Sequence, residues 1–318
     1  MEISVLGCGR WGSFLAWYLN KAGNRVCLWG RSGSAKMQQL MRCRRNDLVE
    51  LGPEIELTCY LEQAMEAEVL VISIGAQHVR GFARQLCAYP LADKTIVLCM
   101  KGLEEHTGKR LSQIVQEEAP SVGKLAIWVG PGHVQDFVQQ VPNCMVIDSQ
   151  DEAVRNKLVK QFSSSLIRFY YGNDMIGNEI GAASKNVIGI AAGMLDGKGY
   201  GSLKGALMSR GTREIAKLIQ AMGGNELSAY GLSHLGDYGA TVFSPYSHNK
   251  RFGELFVQGK HYDKLAEGVA TCAAMMSLGE QYGVELPICQ AVYDVTHQGK
   301  DPERVFASLF VRSLKQEF

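Results

Sequence analysis

The chain opens on a short apolar run, Ile3–Leu6, and passes at once into Gly7-Cys8-Gly9-Arg10-Trp11-Gly12, after which Leu15, Leu19 and Ala22 recur at helical spacing. A strand that turns directly into a helix over glycines spaced G-x-G-x-x-G has few architectures open to it. Gly7 permits the tight turn, Gly9 lets the backbone approach a pyrophosphate, and Gly12 lets helix and strand pack closely. The helix N-terminus then presents N–H groups and the positive end of its dipole to negative charge. These residues predict a dinucleotide site touched by Gly7, Gly9, Arg10, Trp11 and Gly12.

The rest of the first half agrees with that start. Short runs rich in β-branched residues alternate with amphipathic stretches at Arg25–Trp29, Glu68–Ser73, Thr95–Cys99, Leu125–Val129, Cys144–Ile147 and Leu166–Tyr170. Such alternation is the mark of βαβ units and of a parallel sheet. From Asp174 onward it stops, and Ile176, Ile180, Val187, Ile190 and Met194 follow helical spacing. The expected fold is α/β, with an N-terminal Rossmann domain at residues 1–172, a doubly wound mostly parallel sheet. An all-helical C-terminal substrate domain is expected at residues 173–318. A chain of 318 residues, 46% of them hydrophobic, has enough apolar surface for two ordinary cores.

Charge and cysteine usage exclude several classes. Lys and Arg total 33 against 32 Asp and Glu, so no global field favours nucleic acid or an anionic membrane. An anion must be held by a local site. The nine cysteines form no C-x-x-C pair and no Cys/His cluster at zinc-ligand spacing, so no metal is expected and the thiols read as reduced core residues. The N-terminus lacks the basic start and apolar length of a signal peptide, and no apolar run reaches the roughly 20 residues of a membrane span. The expected location is the cytoplasm, without membrane insertion, and a homodimer is the base-rate expectation for assembly.

The second strand ends at Trp29, where a residue reading the cofactor ribose is expected. A carboxylate there accepts from the 2′-hydroxyl of NAD and repels a 2′-phosphate. This chain has Gly30-Arg31-Ser32 instead, and the Arg31 guanidinium can grip a 2′-phosphate, so NADP is expected over NAD.

In the helical half, the run from Asn178-Glu179-Ile180-Gly181 through Ser184-Lys185-Asn186-Val187 to Leu195-Asp196-Gly197 closely resembles the signature of bacterial-type NAD(P)-dependent glycerol-3-phosphate dehydrogenase. The resemblance continues at Ser209-Arg210-Gly211, Leu235-Gly236-Asp237, Asn249-Lys250-Arg251-Phe252-Gly253 and Glu267-Gly268. In the first half Met100-Lys101-Gly102-Leu103-Glu104 and Gly130-Pro131 resemble that family's two other motifs. It implies interconversion of dihydroxyacetone phosphate and glycerol 3-phosphate, mainly in the reducing direction that supplies phospholipid backbone.

Residue chemistry points the same way. Transferring hydride between cofactor and a secondary alcohol needs a group to handle the hydroxyl proton, and a lysine desolvated in an apolar helix can do so. Lys185 lies mid-helix in one of the most apolar stretches, and Asn186 beside it can orient substrate. By resemblance Lys101 approaches both nicotinamide and substrate, where a cation polarises the ketone. Asp237 resembles the aspartate that tunes the lysine by opposing charge, although Asp at such a turn also suits a helix N-cap. The resemblance further implies that Gly130, Gly132, Ser247, His248 and Asn249 line the substrate phosphate and that Glu267 contacts the cofactor. Three positions depart from the family. Gly132 stands where Ser or Thr is usual, His248 where Arg is usual, and Ser202-Leu203-Lys204 replaces a longer Asp-Asn-x-Arg/Lys segment. Two other readings stay open: a reductase of another small ketone or phosphorylated substrate, and a low-turnover nucleotide sensor.

Overall fold

The computed structural model describes residues 1–314 and 316. The chain divides into two compact units: residues 1–101 with 110–179, and residues 102–109 with 180–318. The change of sequence period near residue 172 marks the end of the last strand. The division itself falls between Glu179 and Ile180, within the helix that follows.

The first unit is built on an eight-stranded sheet of order β3-β2-β1-β4-β5-β6-β7-β8. The strands are β1 (Glu2–Leu6), β2 (Arg25–Trp29), β3 (Glu56–Thr58), β4 (Val69–Ile72), β5 (Thr95–Leu98), β6 (Lys124–Val129), β7 (Asn143–Ser149) and β8 (Ile167–Tyr171). Helices α1 (Arg10–Lys21) and α2 (Ala35–Cys43) follow β1 and β2, and the short α3 (Leu61–Ala64) follows β3. The later connections carry α4 (Val79–Leu86), α5 (Leu111–Glu118), α6 (Val134–Val138) and α7 (Glu152–Phe162) in turn. Strand β4 is buried at every residue and β1 at all but Glu2, which is why both read as continuous apolar runs rather than alternating ones. Strands β1 to β6 run parallel, so Gly7, Gly30, Ser73, Cys99 and Gly130 emerge along one edge of the sheet, where ligands of such folds bind.

Two features go beyond the sequence pattern. Strand β3 is an additional three-residue edge strand paired to β2. Strand β7 runs antiparallel to β6, with Trp128 opposite Ile147, because the link between them carries only the five-residue α6 and turns back on itself. The core gathers Phe14, Tyr18, Trp128, Phe137 and Phe162, and the Trp128 ring meets Phe169 edge-on at 4.9 Å.

Among its described residues the second unit holds no strand. Its helices are the remainder of α8 (Met175–Gly197), then α9 (Lys204–Ala221), α10 (His248–Val257), α11 (Glu267–Tyr282), α12 (Pro287–Thr296) and α13 (Pro302–Phe310). Ile180, Val187, Ile190 and Met194 of α8 are fully buried, as their spacing predicts. Helix α10 lies so close to α8 that a Cβ on Gly193 would stand 1.9 Å from the Lys250 carbonyl oxygen, and one on Gly253 2.1 Å from that of Ile190. Those glycines set α10, and the residues at its start, against the Lys185 helix.

Carboxylates from elsewhere in the fold serve two helix starts. Glu179 accepts from the Ser112 backbone N–H at 2.9 Å and pairs with Arg110 at 2.6 Å, at the head of α5. Glu214 of α9 accepts from the N–H groups of Ile288 and Cys289 at 2.8 and 3.0 Å, at the head of α12.

Candidate active site

In the first unit, the turn after β1 has the shape a pyrophosphate needs. Gly7 takes φ +122°, and a Cβ there would stand 2.1 Å from the Ser73 carbonyl oxygen. A Cβ on Gly12 would stand 1.8 Å from the Gly7 carbonyl oxygen, whereas one on Gly9 would meet nothing within 4 Å. The outer glycines thus close the turn and the middle one leaves its approach open. Gly9 is also the N-cap of α1 and supplies no side-chain acceptor, leaving the first-turn N–H groups for an outside anion. Arg10 is exposed and donates to Gln135 at 3.4 Å, while Trp11 is half-buried and packs on Phe14 with ring centroids 5.0 Å apart. Arg31 is exposed just past the end of β2, between Gly30 and the α2 cap Ser34.

Lys101 and Gly130 come together: the Lys101 ammonium donates to the Gly130 carbonyl at 2.5 Å. Gly130 and Gly132 both take strongly positive φ, +127° and +141°. At Gly132 a Cβ would stand 2.3 Å from the Phe137 ring, so the backbone itself excludes the family's usual hydroxyl residue.

In the second unit Lys185 is only 12% exposed along its side chain, and its Nζ lies 3.3 Å from Oδ2 of Asp237, itself buried. The same Nζ donates to Thr241 Oγ1 at 2.9 Å. Asp237 caps no α-helix; it ends the single 3₁₀ turn Leu235–Asp237. Thr241 was not legible as a site residue, because a lone hydroxyl four residues past Asp237 carries no pattern of its own. Its methyl packs over the helix where a Cβ on Gly189 would stand 2.7 Å away.

Asn186 is buried, and its backbone carbonyl faces Gly268, whose N–H donates to Asn249 Oδ1 at 2.9 Å. Glu267, half-buried, opens α11 beside that contact. Lys185, Asn186, Asp237, Thr241, Asn249 and Glu267 are thus gathered around the joint of α8, α10 and α11. Ser247 is the N-cap of α10, accepting from the Lys250 N–H at 3.3 Å. The His248 ring hydrogen-bonds through Nδ1 to the Tyr262 hydroxyl. Positive charge is supplied nearby by Lys204 and Lys250, which share Asp196 at 2.6 and 3.2 Å. Ser202 is exposed. A separate cavity of about 720 Å³ among α9, α12 and α13 takes in Glu214, Ile288 and Phe306 but none of these residues. Among the described residues no group of three or more potential metal ligands occurs.

A glycine turn at the leading edge of a parallel sheet, joined in one chain to a buried lysine with carboxylate and hydroxyl partners, defines a dinucleotide-dependent oxidoreductase. Comparison with known proteins narrows the class. The family model for the NAD-dependent glycerol-3-phosphate dehydrogenase N-terminus matches residues 2–155, and that for the C-terminus residues 174–307. A glycerol-3-phosphate dehydrogenase (NAD(P)+) of Clostridium botulinum is 35% identical over 99% of each chain. One of Desulfitobacterium hafniense is 36% identical over 99% of this chain and 93% of its own. The crystal structure of glycerol-3-phosphate dehydrogenase from Coxiella burnetii superposes with a TM-score of 0.89 at 25% identity, covering 98% of this chain and 99% of that one. The chain belongs to the NAD-dependent glycerol-3-phosphate dehydrogenase family.

Proposed function

We propose that this chain reduces dihydroxyacetone phosphate to sn-glycerol 3-phosphate with NAD(P)H, a step that supplies glycerophospholipid synthesis. The observation that carries the reading is the buried lysine at ion-pair distance from Asp237 and hydrogen-bonded to Thr241.

A nicotinamide dinucleotide supplies the hydride when bound at the turn after β1. The residues of that turn fit it: the uncapped start of α1 receives the pyrophosphate, with Arg10 and Trp11 flanking it. Arg31 grips a 2′-phosphate, which favours NADP over NAD, and by resemblance Glu267 is a cofactor contact of the family. As the ketone becomes an alkoxide, Lys185 gives it a proton from Nζ. Asp237 is the counter-ion of that ammonium, and Thr241 fixes its direction. Lys101 stabilises the developing negative charge. Asn186 orients the hydroxyl side of the substrate. By resemblance, Ser247, His248 and Asn249 at the start of α10 hold the substrate phosphate, and Gly130 and Gly132 of the first unit are substrate-binding positions of the family. Lys204 and Lys250 supply the charge that an arginine at position 248 gives in the family.

Two measurements test the reading. Lys185→Ala is expected to lose on the order of 10²-fold or more in kcat while still binding NADPH; a variant that keeps most of its kcat refutes the assignment. Arg31→Asp is expected to shift the ratio of kcat/KM towards NADH, and a wild type already preferring NADH removes the role given to Arg31. A panel of ketones without activity on dihydroxyacetone phosphate would favour a different phosphorylated substrate, the reading suited by Gly132 and by the His248–Tyr262 contact.

A further inference from the structure

His234 is fully buried three residues before Asp237, and no step above uses it. Both of its ring nitrogens are partnered. Nδ1 lies 2.9 Å from the Gly181 carbonyl oxygen, one helical turn before Lys185, and 3.3 Å from the hydroxyl of Ser184, the residue next to Lys185. Nε2 lies 2.7 Å from the hydroxyl of Tyr238, the residue after Asp237. The histidine's own carbonyl accepts from the Asp237 N–H at 3.0 Å. One side chain therefore spans the two segments that must be in register for Lys185 and Asp237 to meet.

The partners fix the proton. A carbonyl oxygen only accepts, so Nδ1 must carry the hydrogen; in a neutral ring Nε2 is then the acceptor and the Tyr238 hydroxyl the donor. The contact is close by construction, since a Cβ on Gly181 would stand 3.0 Å from the Cβ of His234 and 3.2 Å from Ser233 Oγ. Glycine at position 181 lets the imidazole seat against the helix without displacement.

We propose that His234, as a neutral Nδ1–H imidazole, is a positioning residue that pins the Asp237 turn to the Lys185 helix and so holds the acid–base lysine and its counter-ion at 3.3 Å. The inference rests on the acid–base reading of Lys185 given above. The charged and titratable groups acting on the ring are Asp237, Lys185 and Tyr238. Burial holds its pKa down, to about 4, against the opposing effects of Gly181 and Asp237, so the ring stays uncharged at neutral pH. Loosening the pin moves Asp237 away from Lys185, and a lysine deprived of its counter-ion gives up its proton at lower pH.

The tautomer is read directly on the intact wild-type protein labelled with ¹⁵N-histidine. A neutral Nδ1–H form at position 234 between pH 6 and 9 is expected; an Nε2–H form, or titration within that range, overturns the proposal. Kinetically, His234→Ala is expected to lower kcat for dihydroxyacetone phosphate about tenfold or more and to move the alkaline limb of its pH profile down by about half a unit or more, with KM for NADPH unchanged. His234→Asn, which keeps an N–H donor near the Nδ1 position, should recover part of both. A folded Ala variant with wild-type kcat and limb overturns the proposal. Should that variant fail to fold, Tyr238→Phe decides, since it removes the donor to Nε2 and keeps the ring: the limb should move the same way, and an unmoved limb overturns the pin. Lys185→Ala separates the two claims. Retained turnover there defeats the acid–base reading, whereas lost turnover beside an unaffected His234→Ala defeats only the role of His234.

Discussion

Gly132 illustrates how a single residue departs from its family for a reason written in its neighbours. Its φ of +141° is costly for any side chain, and the Phe137 ring fills the place a Cβ would take. Gly132→Ser is therefore expected to destabilise the fold by about 2–3 kcal/mol, read as a lower urea midpoint at unchanged slope, rather than to improve phosphate binding. A variant of full stability and lower KM would show that the ring yields readily. The same scale shows which site residues could be read from sequence. Lys185 stood out as the one cation in a mostly apolar helix, where burial without a role is expensive, and the glycines of the first turn because their spacing is geometric. Thr241 and His234 were hidden, since a hydroxyl or imidazole gains meaning only from what the fold brings within 3 Å of it.

At the scale of elements, the strands with continuous apolar runs were legible and two features were not. Three residues are too few to show a period, so β3 appears only through its pairing with β2. The reversal of β7 has no signature because a period of two carries no direction. The borrowed helix caps were equally invisible, and one has a consequence for acid stability. Burial raises Glu214 to about 7 despite the two N–H groups of α12 that it accepts, while burial lowers His234 to about 4. A carboxyl raised on folding stabilises fully below its unfolded pKa, and that contribution is lost as pH climbs through about 7. A histidine lowered on folding stabilises above about 6.5, and that contribution is lost as pH falls through about 4. The two oppose one another over the same window, each worth about 3 kcal/mol. Glu214→Gln should therefore be the more stable protein at pH 8, and it should lose stability more steeply than wild type between pH 6.5 and 4. Urea midpoints measured across that range check it, and parallel curves would mean that Glu214 does not titrate as its burial implies.

The whole molecule carries a net charge of +1 and a pI of about 7.6, with no helix among its described residues long and apolar enough to cross a membrane. With no long-range field to keep copies apart, solubility in polyethylene glycol should be lowest near pH 7.6 and rise on either side. A flat solubility curve would show that a few surface contacts, not net charge, govern association. The division of the chain also bears on how it is made. Residues 102–109 leave the first unit directly after β5 and group with the second, where a Cβ on Gly108 would stand 3.0 Å from Leu278. On a ribosome adding roughly 5–20 residues each second, Leu278 emerges some ten to thirty seconds after Gly108. The excursion can therefore reach its final packing only after every strand of the sheet has been made.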